Sequence, residues 1–300
     1  MNKIIMLIGL PGSGKSYFAK RLAVNEDAII YSSDIIRQEM FDNINDIEHN
    51  AKVFGELYKK VRSVIKNNNV IIDATNISYK RRKHFAEQAK KYNCQIICYL
   101  IATPYKQCLE NNKKRDRVVP EYAIKNMYKS FYIPQHYEGW DEINIIWNCN
   151  NFNSNINELF LKILDIEQDN PHHTLTIGKH CLKCGEILSN ISNNDLLIKA
   201  GFYHDIGKLQ TKEFKNSKGE KTEIAHYFQH HLVSAYESLF YLKDFGYEDE
   251  EILKITNYIQ WHMQPFFIKT EKAKQKFINL VGEETYNNIM LLHEADKLAK

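Results

Sequence analysis

Short apolar runs punctuate the first half of the chain: Ile4–Ile8, Ala28–Tyr31, Val70–Ile72 and Ile96–Ile101, with a fifth at Ile143–Trp147. Helix-like segments separate them. Strands apolar on both faces that alternate with helices predict a parallel sheet with helices on both faces. The pattern changes at NCNNFNSNI, residues 148–156, an Asn-rich and turn-prone stretch. INELFLKILDI then shows helical apolar spacing, and from 172 to 300 the chain reads as consecutive helices with no strand pattern. The prediction is an α/β unit over 1–152, a linker and bridging helix over 153–170, and an all-α unit over 171–300.

In a parallel sheet the chemistry sits beyond the C-terminal strand ends. The first end reads Gly9-Leu10-Pro11-Gly12-Ser13-Gly14-Lys15-Ser16, and a helix-like SYFAKRLAV follows. G-x-x-x-x-G-K-S between a strand and a helix is a phosphate-binding loop. Its glycines let backbone N–H groups crowd round a phosphate chain, and the helix points its positive end at the same anion. Gly9, Gly12, Ser13 and Gly14 form the cradle, Lys15 reaches the outer phosphates, and the Ser16 hydroxyl holds Mg²⁺. ATP is the expected nucleotide.

The second end is Ser32-Ser33-Asp34-Ile35-Ile36-Arg37. Asp34 would cap a helix on the bland reading. Beside a phosphate-binding loop it would instead take a proton from an acceptor hydroxyl, with Arg37 three residues on along the same helical face. The third end, Asp73-Ala74-Thr75-Asn76, offers a carboxylate to Mg²⁺ or its waters, or only an Asx turn. Lys80-Arg81-Arg82-Lys83 reads as a solvated helical face. After the fourth strand, the basic run Lys113 to Pro120 suits a lid whose Arg115 and Arg117 close over a transferring phosphoryl group.

Composition changes this picture little. Forty Lys and Arg against 37 Asp and Glu leave a net charge of +3, so any basic surface is local. The six cysteines lack the spacing of a secreted framework, no signal peptide is evident, and no apolar run approaches a membrane span. A reducing cytoplasm is the expected setting, with no membrane partner.

Histidine is concentrated in the second half, at 172, 173, 180, 204, 226, 230, 231, 262 and 293. The sharpest cluster is His204-Asp205-Ile206-Gly207-Lys208. Adjacent His and Asp side chains give nitrogen and oxygen ligands; a further His and a late Asp would complete a divalent site. That donor set suits Mn, Fe, Co, Ni or Zn. Cys181-x-x-Cys184, a lone pair, reads as helix packing.

Taken in order, the phosphate-binding loop, SSDxxR, DATN, RDRxVP and EGWDEI (138–143) resemble the kinase domain of polynucleotide 5′-kinases and their bacterial P-loop relatives. The resemblance implies that Asp34 is the general base on a 5′-OH, that Arg37 contacts acceptor phosphate, and that Arg115 and Arg117 engage ATP. The second half resembles the HD superfamily of metal-dependent phosphohydrolases, through His180 in TIGKHCLKC, His204-Asp205, and Asp296 in LLHEADKLA. His230 and His262 match the extra histidines of members that bind two metals, with His231 and His226 as neighbouring alternatives. Lys208 and His173 would contact phosphate. In such a site an Asp shared by one or two divalent transition metals supports in-line attack of water on phosphorus. Together the halves imply end-healing of RNA or DNA: phosphorylation of 5′-OH ends, plus removal of 2′,3′-cyclic or terminal 2′/3′-phosphate. A small-molecule or nucleoside kinase fused to an HD nucleotidase is an alternative, as is a nucleotide-sensing regulatory module.

Overall fold

The fold is described from a computed structural model, over residues 1–44, 48–149, 156–171 and 174–300. The chain forms two compact units: Met1–Met127 with Pro134–Asn150, and Tyr128–Ile133 with Asn151–Lys300. No helix among the described residues is long and apolar enough to cross a membrane.

In the first unit, strands β1 (Lys3–Ile8), β2 (Ala28–Ser32), β3 (Asn69–Asp73), β4 (Gln95–Ala102) and β5 (Glu142–Trp147) alternate with helices α1 (Lys15–Glu26), α2 (Ser33–Phe41), α3 (Asn50–Val64), α4 (Tyr79–Lys90), α5 (Tyr105–Lys113) and α6 (Glu121–Lys129), the last of which ends with two residues, Tyr128 and Lys129, of the second unit. The sheet runs β2-β3-β1-β4-β5, all parallel. Each apolar run of the sequence is a strand. The three inner strands are almost wholly buried, while Ile29 on the edge strand β2 is 40% exposed. Ile5 and Leu7 of β1 pack with Ile71, Ile97 and the α1 residues Ala19 and Leu22. That apolar cluster seats α1 against the sheet. The register pairs Ser32 with Asp73, Asp73 with Leu7, and Ala102 with Trp147, so the strand tips form one edge.

The basic tract 80–83 is not uniformly solvated. Arg82 is 1% exposed, and its Nε and Nη2 donate to Glu138 at 2.7 and 2.6 Å while Nη1 donates to the Asn76 carbonyl at 2.9 Å. Helical periodicity turns one position of a four-residue charged run inward, and a forked bond to a carboxylate makes burial tolerable there. Glu138→Ala would leave that guanidinium buried and unpaired. It is expected to destabilise the protein by about 3–5 kcal/mol, read as a lowered midpoint by calorimetry.

The second unit contains α7 (Ile156–Ile163), α8 (Ile177–Ile191), α9 (Asp195–Tyr203), α10 (Lys208–Thr211), α11 (His230–Asp244), α12 (Asp249–Trp261), α13 (Glu271–Val281) and α14 (Glu283–Leu298). The expected bridging helix, α7, packs on α8 inside this unit. A Cβ on Gly178 would lie 2.8 Å from the Leu164 backbone. The helices α8 and α9 also meet at glycines, for a Cβ on Gly185 would fall 2.4 Å from the Phe202 ring. The unit is helical apart from one feature. Strands β6 (Glu213–Lys215) and β7 (Lys221–His226) form an antiparallel hairpin. The expectation of helices alone fails there because the hairpin is mostly exposed. With no buried face, its sequence carries no period-two apolar signal.

Candidate functional site

The strand tips of the first unit build a phosphate cradle. Gly12 and Gly14 have φ of +82° and +92°, values that L-residues avoid. A Cβ on Gly12 would also strike the Cys108 carbonyl at 2.2 Å. Helix α1 begins at Lys15, directly after the loop. The Lys15 ammonium is folded onto the Leu10 carbonyl (2.7 Å) and the Ser13 hydroxyl (3.3 Å). Burial lowers its pKa, and the Asp73 carboxylate pulls partly the other way. Ser16 Oγ donates to Asp73 Oδ2 at 2.7 Å, bringing the two residues assigned to Mg²⁺ together.

Asp34 lies in the first turn of α2 but does not cap it. The Ser32 hydroxyl does, accepting from the Asp34 N–H at 3.3 Å. The Asp34 side chain is thereby left for other partners, and Arg37 Nη1 reaches Oδ1 at 2.9 Å. Arg37 is buried and also donates to Asn50 Oδ1 at 2.8 Å. The two lid arginines turn to this same carboxylate: Arg117 is ion-paired to Oδ1, and Arg115 Nη2 lies 3.8 Å from Oδ2. Burial alone would raise the Asp34 pKa, but Arg117, Arg37 and Arg115 together hold it below the usual carboxylate value. The basic run thus brings its charges together on Asp34. Its base is pinned by Asn112, whose amide exchanges two hydrogen bonds with the Val119 backbone (2.8 and 3.0 Å).

Three residues that the sequence reading passed over hold the cradle itself. Thr103 Oγ1 and Asn148 Nδ2 donate to the Ser13 carbonyl at 3.0 and 2.9 Å, and Asn111 Nδ2 donates to the Gly12 carbonyl at 3.0 Å. Thr103 and Asn148 directly follow the register-paired ends of β4 and β5. The strand-end rule, applied to those two tips, points to both.

In the second unit, helices α8, α9, α11, α12 and α14 deliver six side chains to one buried point. His180 Nε2 lies 3.2 Å from His204 Nε2, 3.2 Å from Asp205 Oδ2 and 3.1 Å from Asp296 Oδ1. His230 Nε2 lies 3.2 Å from His262 Nε2 and 3.1 Å from Asp205 Oδ1. Asp205 therefore offers one oxygen to each group. Every one of these rings faces a backbone carbonyl through Nδ1: Ala299, Gly201, Tyr227 and Ile259, at 3.2, 2.8, 2.8 and 2.7 Å. Those contacts put the proton on Nδ1 and leave four Nε2 lone pairs facing one another and two carboxylates. Lone pairs about 3.2 Å apart repel unless a cation lies between them. Asp205 Oδ1 is buried with no hydrogen-bond donor. Bonds of about 2.0–2.2 Å from one ion to imidazole and carboxylate give ligand–ligand separations of this size. The residues fit divalent metal on these grounds.

Two carboxylates, Asp205 and Asp296, dominate the charge around these rings. Burial would lower the His204 pKa, yet Asp205 raises it well above the usual imidazole value. Asp205 is held far below the carboxylate range, against burial, chiefly by Lys208 and His204. His231 is pushed down to about 3 by burial and by His230. It borders the rings of His230 and His262 but sends no atom to the cluster, and His226 stacks on Phe228. His230 is thus the one of the three that converges. Lys208, expected on phosphate, contacts Asp205 Oδ2 at 2.6 Å and Gln168 Oε1 at 2.7 Å. His173 lies outside the described residues. Cys181 and Cys184 are packed inside α8 against its neighbours, both fully buried. Gly207 admits the close crossing: a Cβ there would lie 2.5 Å from the His230 carbonyl.

Comparison with known proteins finds two family matches. Residues 4–134 match the family model described as AAA domain, and residues 172–300 match that of the HD domain. The L-seryl-tRNA(Sec) kinase of Methanococcus maripaludis is 27% identical over 247 residues, which are 74% of this chain and 93% of that protein. The bifunctional polynucleotide phosphatase/kinase of Schizosaccharomyces pombe is 25% identical over 146 residues, 47% of this chain and 32% of its own length. A chain in the structure of the Pnkp1/Rnl/Hen1 RNA repair complex is 27% identical over 42% of each chain, with a TM-score of 0.38. This chain therefore spans less than half the length of the last two. It carries a kinase-like P-loop domain followed by an HD domain.

Proposed function

We propose that the protein heals nucleic-acid ends, phosphorylating a 5′-OH from ATP in the first unit and removing a 2′,3′-cyclic or terminal 2′/3′-phosphate in the second. The observation that carries this is the pairing of two opposed chemistries in one chain. A phosphate cradle lies beside a carboxylate held by three arginines, and a double His/Asp cluster fits divalent metal. The fission-yeast relative, whose name joins phosphatase and kinase, supports it.

In the kinase step, Asp34 takes the acceptor proton as the acceptor oxygen bonds to the γ-phosphorus and the bond to ADP breaks. Lys15, Arg115 and Arg117 offset the charge that develops on the phosphoryl oxygens. Ser16 and Asp73 would hold Mg²⁺. In the hydrolytic step, His180, His204, Asp205 and Asp296 would hold one divalent ion, and Asp205, His230 and His262 a second. Bound ions of this kind supply a lowered water pKa and charge neutralisation. The Nδ1 contacts keep the imidazoles oriented, and Lys208 holds Asp205 in its shared position.

The test is transfer of γ-labelled phosphate from ATP to RNA and DNA oligonucleotides with a 5′-OH, alongside release of phosphate from strands with defined 3′ ends. Absence of transfer in a protein that still hydrolyses ATP would overturn the kinase half. One second reading has its own support, because the archaeal tRNA-linked kinase aligns over 93% of its length. On that reading the acceptor is the side-chain hydroxyl of a serine whose carboxyl is esterified to tRNA. Mild alkali separates the two: it strips label from an aminoacyl ester and leaves label on a 5′ end.

A further inference from the structure

The β6–β7 hairpin is an element that neither proposed chemistry uses. It leaves the chain between Lys208, which touches Asp205, and His230, which belongs to the cluster. Only Tyr227, Phe228 and Gln229 separate β7 from His230, a reach of at most about 14 Å. The base is tied down on the segment 167–170. The Lys212 ammonium donates to the Glu167 carbonyl at 2.6 Å and pairs with Asp169 at 2.5 Å. The Ala225 N–H donates to the Asp169 carbonyl at 2.8 Å, and the Tyr227 hydroxyl to that of Gln168 at 2.5 Å. Gln168 in turn accepts from Lys208. The base of the arm is thus joined through Gln168 to Lys208, the residue that holds Asp205.

The tip is equally organised. Asn216 Oδ1 accepts from the N–H groups of Lys218 and Glu220 at 2.9 and 3.0 Å, and Gly219 takes φ +83° to close the turn. What this ordered arm presents is cationic. Lys215 lies directly across from Lys221, and Lys218 is at the tip; all three are exposed. Like charges placed opposite each other on a sheet are unfavourable without an anion to share. Two of the arm's carboxylates are engaged locally, Glu213 by Lys129 and Glu220 by Asn216, leaving Glu223. Apolar groups are interleaved with the lysines: Phe214 is 46% exposed, Ile224 43% and Phe228 40%. The His226 ring stacks on Phe228 at 5.4 Å and 3°. Cations for a phosphodiester chain and open rings for unpaired bases are what a single strand needs. A mononucleotide would use little of such an arm.

We infer that the β6–β7 hairpin binds single-stranded polynucleotide and leads its end into the His/Asp cluster, which deepens the end-healing reading for the second unit. The test uses the full chain and its variant with Lys215→Ala, Lys218→Ala and Lys221→Ala, each titrated with a fluorescent single-stranded RNA, and DNA, bearing a 3′-phosphate. The variant is expected to bind at least tenfold more weakly. The slope of log K against log salt should become shallower by about 2, since a single strand contributes about 0.7 per phosphate neutralised. Phe214→Ala should weaken binding without changing that slope. Hydrolysis of a small aryl phosphate should be the same in all three proteins. Equal affinity and equal slope in wild type and triple variant overturn the inference. Strand binding through these lysines in a protein that heals no ends would overturn the end-healing reading and keep this one; healed ends with unchanged binding would do the reverse.

Discussion

Asp34→Ala is expected to lower ATP-dependent phosphoryl transfer by about 10²–10⁴-fold, the usual contribution of a positioned general base, while ATP affinity is retained or tightened. The second half of that expectation comes from the lid. Arg115, Arg117 and Arg37 all converge on the Asp34 carboxylate. Removing it ends the pull of that carboxylate on Arg115 and Arg117 without touching the phosphate cradle, so nucleotide binding should not suffer. Initial rates with a 5′-OH oligonucleotide, set beside ATP affinity by calorimetry, separate the outcomes. Parallel loss of both would mean that Asp34 holds the site together rather than moving a proton. Asp34→Asn keeps an oxygen for the arginines and should show the same loss of rate. The pH profile carries a sign. With its pKa held below the usual carboxylate value by Arg117, Arg37 and Arg115 against burial, Asp34 stays ionised until the pH falls through that lowered value. Arg117→Ala removes the largest of those three influences, so the acid limb of kcat/KM should move to higher pH.

The strands were legible because the three inner ones are buried on both faces and read as unbroken apolar runs. The phosphate-binding loop was legible because its backbone geometry demands glycine at fixed positions, Gly12 and Gly14 among them. Adjacent His204 and Asp205 announced a cluster, and the spacing of histidines along later helices gave its other members in outline. Periodicity could not choose between His230 and His231, since neighbours on a helix differ by about 100° and only packing decides which one faces inward. Nor could it see that Arg82 is buried. That depends on Glu138, fifty-six residues away in the chain. Thr103, Asn111 and Asn148 escaped for a related reason. Each acts through a single amide or hydroxyl on a loop carbonyl, and such a bond leaves no motif. The lid run was recognisable as basic and mobile in character. Its convergence on Asp34, rather than on the cradle alone, is a product of three-dimensional placement.

Asp205→Ala should cost more than any single histidine of the second unit. Its two oxygens are divided between the groups, Oδ2 toward His180 and His204 and Oδ1 toward His230 and His262. Losing it leaves two sets of imidazoles, each without the carboxylate that offsets the ion's charge. The expected result is a fall from two bound ions to fewer than one by elemental analysis, and a drop in phosphohydrolysis on the order of at least 10³-fold. His230→Ala touches one group only and should leave a single ion. Neither change should alter phosphorylation, because every residue assigned to that step lies in the other unit. A readout free of turnover comes from thermal unfolding. An ion that binds the folded state alone raises the melting midpoint with its concentration. Added Mn²⁺ should therefore raise the midpoint of the wild type, raise that of His230→Ala less, and leave that of Asp205→Ala unmoved. Equal stabilisation of all three would show that Asp205 does not join the two groups. The buried Oδ1, without a hydrogen-bond donor of its own, is the atom on which that outcome turns.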